Sequence, residues 1–217
     1  MGKSLKDLGL HFNEKGSLND KMGNAFQFVD QENYESVGEA VNEYIYDALS
    51  KQFKFKKLYF DKKTKETSSF VFATENYLTA SELIVFINGS GAVRAGQWAR
   101  SWENFVLASK LAGRKIAIIA HSYGGVVVDH ILKCYGNKEG AIKGIMLTDA
   151  EFDRSCLEHL SDVPVVMNFV NYIPNSKTSA YSEDAVISVY SGTNQHVLTS
   201  AFAKDAIISK LRELHFD

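Results

Sequence analysis

The sequence predicts an α/β protein with a mostly parallel sheet. Three observations carry that prediction. Continuous apolar runs of strand length recur along the chain, as strands buried on both faces require. Stretches with helical spacing separate them. Small, polar or titratable residues follow the runs, and in open parallel sheets function collects beyond the carboxyl ends of strands.

The elements follow in chain order. "FQFV" (26–29) has the composition of a short strand. Residues 32–52 place Tyr34, Val37, Val41, Tyr44, Ile45 and Ala48 at helical spacing, an amphipathic helix. "FKFKKLYF" (53–60) alternates like a half-exposed strand, and "SSFVFA" (68–73) follows the charged turn "DKKTKE", so the two predict a hairpin. "ELIVFI" (82–87) is a continuous apolar run, as expected of a central buried strand. Residues 94–112 predict a loop and then a helix anchored by Trp98, Trp102, Phe105, Leu107 and Leu111. "KIAIIA" (115–120) is a second buried strand, with its helix over 123–135. "IKGIMLT" (142–148), "VPVVMNFV" (163–170) and "AVISVY" (185–190) predict three more strands. The tail, 199–214, predicts a helix with Phe202, Ile207, Ile208 and Leu211 inward.

Composition sets the class. The chain has 217 residues, 45% of them apolar, enough for one sizeable core and a single domain over 1–217. A net charge of −2 gives no bulk basis for wrapping nucleic acid. Cys134, in an apolar helical stretch, reads as a buried free thiol. With Cys156 the only other cysteine and no CxxC pattern, no zinc site is expected, nor any other metal or cofactor. The start, "MGKSLKDLGL", has no long apolar stretch and carries Lys6 where myristoylation wants Ser or Thr. A soluble protein of the cytoplasm or nucleus, without membrane partners, is the expectation.

The strand ends carry the chemistry. "ELIVFI" ends in Asn88, Gly89, Ser90 and Gly91; "KIAIIA" in His121, Ser122, Tyr123, Gly124 and Gly125; "IKGIMLT" in Asp149; "AVISVYSGTNQ" leads to His196. In chain order this gives Ser122, Asp149, His196, the order used by α/β-hydrolases. A serine hydroxyl needs a neighbouring base, which His196 can be, and a carboxylate would fix the tautomer of that base. The sharp elbow wants small residues two before and two after the serine; here they are Ala120 and Gly124. Backbone amides of Gly89, Ser90, Gly91 and Tyr123 are candidates for an oxyanion hole. Asp153 rivals Asp149 for the acid, and Asn194 stands where many hydrolases carry one. His121 reads as a packing or hydrogen-bonding neighbour of the site. The run "KQFKFKK" (51–57) suits phosphate contact, but alternating Lys on an edge strand is usually a solvated face that blocks aggregation.

The blocks "SLKDLGLHFNEKGSL", "INGSGAVRAGQWAR", "AHSYGG", "LTDA" and "SGTNQHVLTS" are more particular. Together they resemble the argonaute-binding-protein domain family, from about Leu5 to the end of the chain. That family includes an argonaute siRNA chaperone subunit and animal cotranscriptional regulators. The resemblance implies an α/β-hydrolase-like fold and a role in nuclear small-RNA silencing, heterochromatin or splicing control. It implies argonaute-type, chromatin or splicing proteins as partners, and Ser122 as the position of the nucleophile. Asn88 stands where the family often has His, and "GTNQH" where it often has "GTDRH".

One departure is larger. In such folds helix, strand and helix separate the oxyanion strand from the nucleophile strand. Here about two dozen residues separate Gly91 from Lys115, room for a loop and one helix. One strand-helix unit is therefore expected to be missing, in a naturally compact member or in a shortened gene product. Two functions compete: a regulatory interaction module, and an active serine hydrolase of the esterase or thioesterase kind with a small acyl substrate. Direct RNA binding, through Lys54, Lys56, Lys57, Arg94 and Arg100, is the third and weakest reading; local ion pairs such as one with Glu103 are the commoner fate of the two arginines.

Overall fold

A computed structural model describes residues 3–14, 16–27, 29–59, 70–89, 113–173, 180–183 and 185–216. They fall into two compact units, one holding residues up to Tyr59 with Phe70–Glu75, the other running from Asn76 onward.

The first unit opens with a short antiparallel pair, β1 (Leu10–Phe12) and β2 (Leu18–Asp20). Of "FQFV", the described residues Phe26, Gln27 and Val29 are not strand. Ala25 makes one isolated bridge to Asn19, and Val29 lies exposed where the chain turns into a helix cap. That cap is Asp30, whose carboxylate accepts the Asn33 N–H at 2.8 Å and satisfies one of the orphan donors of α1 (Gln31–Asp47). Val37 and Ala40 are buried, whereas Tyr34, Tyr44 and Ile45 of the expected apolar face are exposed. The helix runs on into a wider π-type turn, Ala48–Gln52. β3 (Lys56–Tyr59) and β4 (Phe70–Ala73) then pair antiparallel, as their alternation predicts, with Lys57 opposite Phe72 and Tyr59 opposite Phe70.

The second unit is a layered α/β arrangement. Its strands are β5 (Glu82–Ile87), β6 (Lys115–His121), β7 (Ile142–Thr148), β8 (Val165–Val170), β9 (Ala180–Glu183) and β10 (Val186–Tyr190). They lie in the order β5-β6-β7-β8-β10-β9; the first five run parallel and β9 pairs antiparallel with β10. Strand alternation splits the core in two. Ile116, Ile118 and Ala120 of β6 join Ile145 and Leu147 of β7 against Val128, Ile131 and Leu132 of α2 (Gly124–Tyr135). Ala117 and Met146 point the other way, with Phe169, against Ala203 and against Ile207 and Leu211 of α4 (Lys204–Glu213). Each fully buried Val, Leu, Ile, Met or Phe side chain among these contributes about 1.5–3 kcal/mol through burial.

Three further expectations need correction. β5 is the outermost strand of the sheet among the described residues, and Ile84 and Phe86 are exposed rather than buried on both faces. The tail helix is two pieces, α3 (Thr199–Phe202) and α4, with Phe202 and Ile208 outward because the inward stripe is Ala203, Ile207 and Leu211. Cys134 is exposed beside His130, at 3.5 Å from its Nε2; the buried thiol is Cys156, which burial pushes up to about 12. β9 had no counterpart in the sequence reading. The expected helix over 94–112, Arg94, Trp98 and Arg100, and the stretch expected to lack a strand lie outside the described residues.

Candidate functional site

β6 delivers Ser122 onto a strained turn. The residue has φ 53°, the left-handed region that costs a non-glycine residue about 1–2 kcal/mol. Its N–H reaches the Thr148 carbonyl at 3.2 Å, so the ladder to β7 continues one residue past the strand before the chain reverses into α2. Close approach explains the small residues around it. A Cβ on Gly124 would stand 2.7 Å from the Ile87 carbonyl oxygen, one on Gly125 would collide with that of Glu151, and one on Gly89 would stand 2.8 Å from the Ser122 Cβ. Ala120 is fully buried.

β7 and the turn after it supply the carboxylate. Asp149 also has positive φ, 49°, and its N–H continues the sheet to the Phe169 carbonyl at 2.8 Å. Its Oδ1 accepts the Asn171 N–H at 3.2 Å, and its Oδ2 meets His196 Nδ1 at 2.5 Å. With Nδ1–H donating to that carboxylate, Nε2 of His196 carries the lone pair a base needs. Among the described residues no hydrogen bond joins Ser122 Oγ to His196. Asp153, the rival acid, is taken elsewhere. It pairs with Lys133 at 2.5 Å and caps Ser155, and the Lys133 bond pulls its carboxyl down to about 2.

His121 links these parts. Its ring lies 4.8 Å from that of His196, tilted by 33°. Its Nδ1 donates to the Thr148 carbonyl at 2.8 Å. Burial holds its pKa below the usual histidine range, and His196 adds to that, while the Thr148 bond and Asp149 oppose it. Sequence reasoning missed three supports. Thr148, wholly buried, shares a 2.7 Å hydrogen bond with Ser200 Oγ. Asn168 clamps the turn after β7, donating Nδ2 to the Ala150 carbonyl at 3.0 Å and accepting its N–H at 3.4 Å. A polar residue inside an apolar run, as in "VVMNFV" and "GIMLT", was the available signal.

Of the expected oxyanion donors, Gly89 is buried against Ser122, and the Tyr123 N–H has no partner among the described residues. Ser90 and Gly91 lie outside the described residues. Asn88 and Asn194 are exposed. Among the described residues no group of three His, Cys, Asp or Glu gathers as a metal site would need, and no helix is long and apolar enough to cross a membrane. Such a constellation can orient an imidazole against a carboxylate beside an elbow serine, and can offer an amide to a developing negative charge.

The fold and these strand ends define a class: an α/β protein that gathers a serine and a histidine–aspartate pair at the carboxyl ends of a parallel sheet. Residues 1–103 match the Arb2 domain. A FAM172 family protein homolog of Caenorhabditis elegans is 32% identical over 268 residues, covering 94% of this chain and 85% of that protein. The chain belongs to the Arb2 domain family. The cotranscriptional regulator ARB2A of Homo sapiens is 38% identical over 141 residues, 58% of this chain and 34% of that protein. Its namesake in Mus musculus is 42% identical over 109 residues, 45% of this chain and 26% of its own length. This chain thus spans about a third or less of those two mammalian relatives. The match to the worm protein is longer than this whole chain, so that relative carries residues inside the match that this chain lacks. No solved structure matches.

Proposed function

We propose that this protein is a nuclear regulator of the cotranscriptional kind, working through protein partners of the argonaute, chromatin or splicing type, on an α/β-hydrolase-like fold. The observation that carries the regulatory reading is its likeness to relatives named cotranscriptional regulators. The hydrolase-like fold draws support from the left-handed Ser122 between β6 and α2, and from Asp149 and His196 following β7 and β10 in the hydrolase order. The direct pairing of β5 with β6, with β5 outermost among the described residues, fits a sheet that has lost the strand beside its oxyanion strand.

The second reading, a serine hydrolase of the esterase or thioesterase kind, rests on the Asp149–His196 bond beside that elbow. Ser122 is its nucleophile, His196 its base, Asp149 its orienting acid, and the amides of Gly89, Ser90, Gly91 and Tyr123 its oxyanion donors. One pair of experiments separates the two. The folded protein is treated with a fluorophosphonate probe, and Ser122→Ala is tested in a cell-based transcription or splicing assay. Labelling lost in Ser122→Ala favours the enzyme. No labelling, with the regulatory effect intact in Ser122→Ala, favours the scaffold. A Ser122→Ala protein that folds and keeps its partners but loses the effect sinks the pure scaffold.

A further inference from the structure

The lysine run at 51–57 has a use that neither reading absorbs. In the β3–β4 hairpin, Lys57 and Tyr59 share one face with Phe70 and Phe72, because strand side chains alternate with period two. The other face takes Lys56, whose ammonium pairs with Glu75 at 2.9 Å. Lys57 has no carboxylate within ion-pair distance among the described residues. Its Nζ stands instead over three rings, 3.8 Å from the centroid of Phe70, 4.9 Å from that of Tyr46 on α1, and 5.4 Å from that of Tyr59.

Those rings have the layout of a box. Phe70 is its floor. Tyr46 meets Phe70 at 87° and Tyr59 meets it at 60°, so both stand as walls. Phe72 backs the box, edge-on to Phe70 at 88° and 5.2 Å from Tyr46. The ring faces converge on one point, and ring quadrupoles attract a cation there. Tyr59 and Lys57 are exposed, so the box opens to solvent.

We propose that Tyr46, Tyr59 and Phe70 form a binding site for the side chain of a methylated lysine, with Lys57 as its resident, displaceable plug. A primary ammonium is strongly hydrated and gains little by leaving water for aromatic faces. Methyl groups remove that hydration, keep the charge, and add apolar surface against the rings. A methylated ammonium therefore competes well with Lys57 for one place. That the present occupant reaches the rings on a lysine stem fits a lysine-borne ligand rather than a lipid choline.

The test uses the whole chain with labelled Phe and Tyr, followed by NMR. The probes are a Gly-Lys-Gly tripeptide with the lysine trimethylated, the same tripeptide unmethylated, its neutral isostere with carbon in place of the ammonium nitrogen, and phosphocholine. The trimethylated probe should shift Tyr46, Tyr59 and Phe70 together. It should bind about fivefold more tightly than the isostere, since only the charged head gains from the ring faces. Lys57→Gln should tighten binding several-fold by removing the plug, and Tyr59→Leu should weaken it with the far-ultraviolet spectrum unchanged. Equal binding of isostere and trimethylated probe overturns the proposal, as does silence of the three rings in both wild type and Lys57→Gln. Phosphocholine binding in place of the peptide overturns the assignment to lysine.

Discussion

Ser122 and Asp149 are two non-glycine residues held at positive φ, one at the end of β6 and one at the end of β7. Aspartate tolerates that region because its short side chain can bond locally; serine has less excuse, and such strain persists where the surroundings over-determine it. Here the ladder bond to Thr148 and the glycines at 89, 124 and 125 supply the constraint. His121, next to the serine, ties its protonation to stability. Its pKa is lowered on folding, so the unfolded chain binds its proton first as pH falls through the ordinary histidine value of about 6.5. Stability is intact above that pH and declines below it. Urea midpoints measured at about pH 8 and about pH 5 should therefore differ less for His121→Asn than for wild type. An unchanged difference would place the titrating group elsewhere.

At the scale of elements, alternation and helical spacing were legible where one face or stripe was buried. β6 and β7 were read from continuous apolar runs, and the two core clusters show why: successive residues enter opposite clusters. The same signal misled at β5, since an apolar run does not reveal whether a strand is central or outermost. In the tail, Phe202 and Ile208 are apolar but sit off the stripe of Ala203, Ile207 and Leu211, a choice made by α4's packing on the sheet. The elbow was legible through its spacing, yet Gly125 was not recognised as a close approach. A methyl group there meets the Glu151 carbonyl and the Ala150 side chain, both on the turn that leads away from Asp149. Gly125→Ala should cost about 1–3 kcal/mol, read as a lowered urea midpoint, because the backbone on that side must shift. A neutral result would mean that the turn gives way without cost.

For the whole molecule, length and composition predict one domain over 1–217, whereas the backbone groups into two compact units. Calorimetry distinguishes the two descriptions. One cooperative transition is the outcome expected for a single domain of this size; two resolved transitions would make each unit a domain of its own. The family is legible in the sequence itself, in motif blocks such as "GSGAVRAGQWAR" and "AHSYGG", and the match of residues 1–103 to the Arb2 domain agrees.

By itself the sequence determined the parallel α/β class, the elbow and the chain order of serine, acid and histidine. Those are written in local pattern: runs, spacing and the small residues a sharp turn requires. Only the tertiary structure decided which acid meets His196. Asp149 and Asp153 are four residues apart and chemically identical. Asp149 follows β7, and the order β7-β8-β10 brings the turn after β10 to it, while Asp153 is drawn off to Lys133 on α2. The gathering of Lys57 with Tyr46, Tyr59 and Phe70 has the same cause. Side chains from a helix and two strands converge only once strand register and helix packing are set, and no local pattern encodes either.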